Sequence, residues 1–194
     1  DVKHILEARN LMKIVEEKFI SEGAYHETAS DGENLIVRQI SGYDGVEPSG
    51  NSNAALAFLK LGAYLGEYSS IKCAEKIFLA FHEELVEFGM NSSYMMQALH
   101  LYLGGLKEVA IIGKRNDSAT KEMLKVIRSG FFPNAVFAFS YEDEMVKNSA
   151  VLPLLAGKML KNSTVTAYVC NLGACLPPVN SPKDLVNLLK YKEN

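Results

Sequence analysis

Between Tyr43 and Ala55 the chain reads Tyr-Asp-Gly-Val-Glu-Pro-Ser-Gly-Asn-Ser-Asn-Ala-Ala. Two carboxylates, Asp44 and Glu47, stand three residues apart on a loop bounded by glycines and a proline. Carboxylates so placed can converge on one spot, as acid–base catalysis or the gripping of sugar hydroxyls requires. They are the catalytic candidates of this sequence, and Tyr43, Ser49, Asn51 and Ser52 can line the same pocket as substrate-binding groups. A loop this closely specified has its backbone held by a ligand or a packed partner. The competing reading is local. Asp44 makes an Asx-type turn, Glu47 caps or salt-bridges nearby, and Asn51, Ser52 or Asn53 caps the helix that follows.

His26, beside Glu27, is a further substrate-binding candidate, since an imidazole next to a carboxylate can shuttle protons. A half-buried structural histidine is the plainer alternative. Cys170 and Cys175 enclose Asn-Leu-Gly-Ala and are followed by Pro177-Pro178. Redox pairs usually have two intervening residues, which set one thiol at a helix N-terminus. Four intervening residues favour a structural thiol pair in a tight turn. Zinc would need two more ligands, and His4, His26, His82 and His100 are scattered, so no metal and no other cofactor is expected. Cys73 reads as a small core hydrophobe. The Ile111-Ile112-Gly113-Lys114 turn has neither P-loop nor dinucleotide-binding spacing, and the chain has no Gly-x-Ser-x-Gly or His-Glu-x-x-His motif.

The elements that must position these residues can be read from periodicity. Residues 2–20 have a helical pattern with Ile5, Ala8, Leu11, Met12, Val15 and Phe19 on one face. Residues 24–28 and 35–40 flank Ser30-Asp31-Gly32, a hairpin signal. A helix apolar almost all round follows over 54–65, then helices over 70–88 and 92–103, the last stopped by Gly104-Gly105. That rhythm is one of stacked helical hairpins. After Leu106 the pattern becomes a strand at 108–113, a helix opened by Asp117-Ser118 and running to Arg128, and a strand at 135–139. Such a unit makes a parallel strand pair. A third strand at 164–170 and a last helix opened by Ser181-Pro182 complete it. The expected fold is therefore mainly α with a small α/β part. Residues 1–106 form the helical hairpins, and 107–194 a short three-stranded appendage docked on them.

With 48% hydrophobic and 22% charged residues the composition is that of a soluble globular protein. A net charge of -3 with mixed signs supplies no basic face, which argues against nucleic acid as a partner. No apolar run approaches a membrane span, and no signal peptide is visible, so no membrane partner is expected. Three cysteines argue against a disulfide framework and fit a reducing, cytoplasmic setting. The first residue is not Met, which fits a processed chain or a fragment.

Three segments taken together, Tyr43–Ala55, Glu108-Val-Ala-Ile-Ile-Gly113 and Thr166-Ala-Tyr-Val-Cys-Asn-Leu-Gly-Ala-Cys-Leu-Pro-Pro178, resemble a known family in order and spacing. They are similar to the C-terminal end of the spermatogenesis-associated, thioredoxin-domain-containing proteins. Val46 and the residues between Cys170 and Cys175 depart from the family pattern. The resemblance implies a partial (α/α)6 toroid similar to N-acylglucosamine 2-epimerases and helical-hairpin glycosidases, with the Tyr43–Asn51 loop at the mouth of its pocket. It further implies a carbohydrate-processing or carbohydrate-binding role, with a sugar as ligand. The alternative is a non-catalytic scaffold supporting a thioredoxin-like redox domain. In either case the implied partners are the remainder of the toroid and a thioredoxin-like domain, in the same or a separate chain.

Overall fold

The computed structural model describes residues 2–190. It is mostly helical, with one four-stranded sheet, and divides into two compact units. Residues 1–62 and 67–104 make up the first and residues 63–66 and 105–194 the second.

The first unit contains α1 (Val2–Lys18), most of α2 (Gly50–Leu65), α3 (Tyr68–Ala80), α4 (His82–Phe88) and α5 (Ser93–Gly104). Its core is built by Phe58, Leu59 and Leu61 of α2, Ala74, Ile77 and Phe78 of α3, and Met95, Ala98 and Leu101 of α5. The near-uncharged α2 is buried along most of its length, as a helix apolar on all sides must be. By contrast α1 buries no residue fully. Ile5, Ala8, Met12, Val15 and Phe19 are half-buried on one face, but Leu11, expected inward, is 63% exposed.

Two expectations for this unit are corrected. The helix read over 70–88 is broken at Phe81, whose φ of -105° and ψ of 17° end α3 and start α4. Phe81 is buried, so its packing outweighs the helical propensity of its neighbours. The hairpin expected around Ser30-Asp31-Gly32 is not formed either. The chain does turn there, with Gly32 N–H donating to Ala29 C=O (3.3 Å), but among the described residues a single backbone–backbone bond, Glu27 N–H to Gln39 C=O, links the two runs in place of a ladder. The segment is tied to the end of α1 instead. Lys18 pairs with Asp31, Ser30 N–H donates to Lys18 C=O, and the Arg38 guanidinium donates to the carbonyls of Lys18 and Thr28.

The second unit contains β1 (Lys107–Gly113), α6 (Ser118–Ser129), β2 (Ala135–Tyr141), α7 (Met145–Ser149), β3 (Thr166–Asn171), β4 (Ala174–Cys175) and α8 (Pro182–Lys190). The sheet order is β2-β1-β3-β4. β1 and β2 are parallel, with Val109 opposite Phe137, as the intervening helix dictates. β3 runs antiparallel to β1, and β4 antiparallel to β3. The fourth strand extends the expected three. Val109, Ile111, Val165, Ala167 and Val169 form a core with Met123 of α6 and Leu185 and Leu189 of α8. Ala110, Ile112, Val136, Ala138 and Tyr168 are buried on the other face. Burial of β1 on both faces explains its unbroken apolar run. Asp117 caps α6 as expected, accepting from Thr120 Oγ1 at 2.7 Å and Thr120 N–H at 2.9 Å, and the hydroxyl first and the amide second hold its carboxyl below the usual carboxylate range. Among the described residues no helix is long and apolar enough to cross a membrane.

Candidate functional site

The Tyr43–Ala55 segment is organised by two polar side chains. Asp44 reaches the start of α5, where Oδ2 accepts from Tyr94 N–H (2.7 Å) and Met95 N–H (3.3 Å). Its Oδ1 accepts from Ser49 N–H (2.8 Å), and its own N–H donates to Asn91 C=O (2.7 Å). A carboxylate is favoured there because the first amides of a helix lack partners and carry the positive end of its dipole. Asp44 thus works as a cap delivered from 50 residues away.

Asn51 is 2% exposed and uses its whole amide. Oδ1 accepts from Tyr25 N–H (2.8 Å), and Nδ2 donates to the carbonyls of Tyr25 and Ser41, each at 2.9 Å. It joins the 25–26 segment and the loop to α2. Ser49, rather than Asn51, Ser52 or Asn53, is the cap of α2: its Oγ accepts from Ser52 N–H (3.0 Å) and donates to the buried Ser52 Oγ (2.8 Å). The other three have their own partners, since Asn53 Nδ2 donates back to the carbonyls of Pro48 and Ser49.

Glu47 is exposed and has no hydrogen bond or ion pair among the described residues, and Val46 beside it is fully exposed. The loop therefore gives its two carboxylates different surroundings, one taken up by backbone amides and one in solvent. Tyr43 is also exposed and stands at the edge of a shallow cleft of about 220 Å³. Ser41, Phe81, Glu84, Phe88 and Asn91 line that cleft with it. Its floor demands the glycine at 42: a Cβ there would lie 2.7 Å from the Phe81 ring. Ser92, buried, donates from Oγ to Gly42 C=O and fixes the rim. Glu84, Phe88 and Asn91 carry no motif. Phe88 continues the apolar period of Phe81 and Leu85, which points to an inward position, yet it is 59% exposed; no sequence signal marks Glu84 or Asn91.

His26 is half-buried, and its Nδ1 lies 3.0 Å from Arg38 C=O, so that nitrogen carries the proton in this bond. It is not among the residues lining the cleft. A second, charged cleft of about 300 Å³ lies between Arg9, Lys13 and Glu16 of α1, Phe58 of α2, and Glu67 and Ser70. Arg9 and Glu67 pair across it, and burial pushes the nearby Cys73 thiol up, with Glu16 as its hydrogen-bond partner. Tyr25 is also raised, chiefly by burial.

Cys170 and Cys175 are not free thiols: they form a disulfide across the β3–β4 pair. Leu172 (φ 46°) and Gly173 (φ 81°) make the two-residue turn, both with positive φ as in a type I′ hairpin. Among the described residues no group of three or more His, Cys, Asp or Glu side chains is placed to hold a metal ion.

No protein-family model matches the chain. Spermatogenesis-associated protein 20 from human is 30% identical over 167 residues, and its rat and mouse counterparts are 28% identical. The aligned region is 86% of this chain and 21% of each relative, so the chain spans about a fifth of the length of the curated relatives it matches. The helical unit with its Asp44-centred loop, and the four-stranded sheet with its cysteine pair, are thus those of a chain homologous to spermatogenesis-associated protein 20.

Proposed function

We propose that this chain is part of a helical toroid that binds carbohydrate, with the cleft beside Tyr43 as the sugar-binding face. The observation that carries this reading is the chemistry of the cleft: aromatic rings at Tyr43, Phe81 and Phe88 next to Glu84 and Asn91. Sugars present apolar C–H faces to stack on rings and hydroxyls for carboxylates and amides to hold, and binding sites combine such surfaces with a few placed polar groups. The exposed rings of Tyr43 and Phe88 supply the platform, and Glu84 and Asn91 the hydroxyl contacts. In this reading Asp44, Asn51, Ser49 and Ser52 build the rim rather than touch the ligand, and Glu47 is the loop carboxylate free for acid–base work. The remainder of the toroid would close the cleft from the other side.

Thermal unfolding against a panel of monosaccharides, disaccharides and sugar phosphates tests it. A ligand at a hundred times its Kd stabilises by about 2.7 kcal/mol. The expected result is a shift that Tyr43→Ala and Glu84→Gln each abolish. A shift unaffected by both variants would place the sugar elsewhere, and no shift with any sugar would sink the proposal.

A second reading, a scaffold that supports a thioredoxin-like domain, draws on a different observation. The loop's Asp44, Asn51, Ser49 and Ser52 side chains are all satisfied within the chain. A loop that only packs needs nothing more.

A further inference from the structure

A row of three side chains crosses the edge of the sheet in the second unit. Glu108 of β1 lies opposite Cys170 of β3, and Cys170 lies opposite Cys175 of β4. Residues directly opposed on neighbouring strands project on the same face. The order along the sheet is therefore carboxyl, buried sulfur, exposed sulfur, solvent, because β4 is the edge strand. Cys170 is 3% exposed, whereas Cys175 is exposed. Leu176 N–H donates to Val169 C=O (2.9 Å) just beyond the cysteines, as a two-residue hairpin with a non-hydrogen-bonded cysteine pair requires. The sulfurs thus face each other in a frame that pairing alone holds.

We propose that Cys170–Cys175 is a thiol–disulfide exchange site that a dithiol reductant opens by attack on Cys175, with Glu108 handling the proton of Cys170. Displacement at sulfur needs the attacking thiolate in line with the bond that breaks, and approach from the open edge of β4 meets Cys175 on the side away from Cys170. The Sγ–Sγ bond breaks, its electron pair leaves on Cys170 Sγ, and that sulfur takes a proton from Glu108. The second thiolate of the reductant then attacks its own sulfur in the mixed disulfide and releases Cys175. Two electrons pass to the cysteine pair, and the reductant departs as a disulfide.

The surroundings suit each part of this step. Glu108 Oε2 accepts from Gly173 N–H in the turn at 3.2 Å, so the carboxyl is held at the hairpin. Half-burial pushes Glu108 up, against the Gly173 N–H bond and then the Lys158 ammonium, and a carboxyl shifted in that direction is the better proton donor to a departing thiolate. The same Lys158 ammonium sits over the Tyr168 ring, on the Cys170 face two residues along β3, where it favours a departing thiolate. Lys158 is the charged group that bears on Glu108, and Tyr168 is engaged through its hydroxyl with Met159 C=O. A bridge between residues five apart restrains the unfolded chain less than one that closes a long loop.

The test uses the whole chain carrying Cys73→Ser, so that any thiol counted belongs to the pair. Dithiothreitol, or a thioredoxin-type dithiol protein, is added under native conditions and thiols are capped with iodoacetamide. Two caps on Cys170 and Cys175 with an unchanged circular dichroism spectrum are expected, and the caps should disappear if the pair is first allowed to reoxidise. A reductant whose second cysteine is replaced by Ser should be captured on Cys175. Glu108→Gln keeps an acceptor for Gly173 N–H, and should slow reduction several-fold while flattening the pH dependence of its rate. Reduction only after urea unfolding, capture on Cys170, or isolation of the pair as thiols that do not oxidise would each overturn the site. An unchanged rate and pH profile in Glu108→Gln would overturn the role of Glu108.

Discussion

The Asp44 loop and the Cys170–Cys175 hairpin are both tight turns centred on a polar group, yet they place that group in opposite situations. In the loop, the Asp44 carboxylate faces inward and each oxygen accepts from backbone N–H groups of Ser49, Tyr94 and Met95. In the hairpin, the Cys175 sulfur faces outward at an unpaired strand edge, and its partner is buried. Saturated polar groups rigidify a fold and have little left to offer a ligand. An exposed bond between sulfurs holds the fold together less and has its chemistry still available. Richness in polar residues is therefore a poor guide to chemistry until one knows where each atom's hydrogen bonds go.

The contrast can be broken most severely at Asn51. Asn51→Ala leaves Tyr25 N–H, Tyr25 C=O and Ser41 C=O without their partners in a largely buried site, and should destabilise by roughly 3 kcal/mol or more at about 1–3 kcal/mol per orphaned group. Urea unfolding measures this, and a loss under 1 kcal/mol would show that the loop is not held as described. Asp44→Ala should cost somewhat less, about 2–3 kcal/mol, since Ser49 and Tyr94, unlike Met95, are only half-buried and water can replace the carboxylate at their amides. Hydrogen exchange at Tyr94 and Met95 should quicken in that variant, whereas exchange in the hairpin should not change.

Glu108→Gln probes the hairpin and has the opposite sign. A carboxyl whose folded pKa is raised contributes stability fully present below its unfolded pKa and lost as pH rises through the folded pKa. At neutral pH the wild-type chain therefore carries a penalty that the neutral amide lacks. The variant should melt higher at pH 7, and its advantage should fade towards acid pH. An advantage that grows on acidification would reverse the sign given to Glu108. The smallest effect is expected at Glu47, where Glu47→Gln should change stability by less than about 0.5 kcal/mol because the side chain is exposed and unpaired among the described residues. If Glu47→Gln proved as damaging as Asp44→Ala, the two carboxylates would share one network after all.

Much of the local structure could be read without coordinates. The β1 and β2 runs, the Asp117 cap and the Gly104 stop depend on neighbours within a few residues, and their signals are local for that reason. Phe81 could not be recognised as a break, because a buried ring and not a breaker residue imposes it. The hairpin expected near residue 31 competed with bonds from Lys18 and Arg38 that no periodicity reports. Asn171-Leu172-Gly173-Ala174 hid a two-residue turn, since a leucine at positive φ is uncommon there. Tyr43, Asp44 and Glu47 were legible as a specified loop, but Glu84 and Asn91, which help complete the cleft, lie some 40 residues on and carry no pattern, and Phe88 carries the pattern of a core position although it is exposed.

From its sequence alone this protein has its helices and central strands, the starts and stops of most of them, and the resemblance that its homology to spermatogenesis-associated protein 20 supports. Tertiary structure decided what the marked side chains do. Asp44 became a cap only because α5 begins beside it, and Asn51 a staple only because Tyr25 and Ser41 pass within reach. Glu108 met the disulfide only through strand register. Periodicity and capping act between near neighbours, whereas satisfaction, burial and register are set by residues distant in the chain, which meet only when it folds.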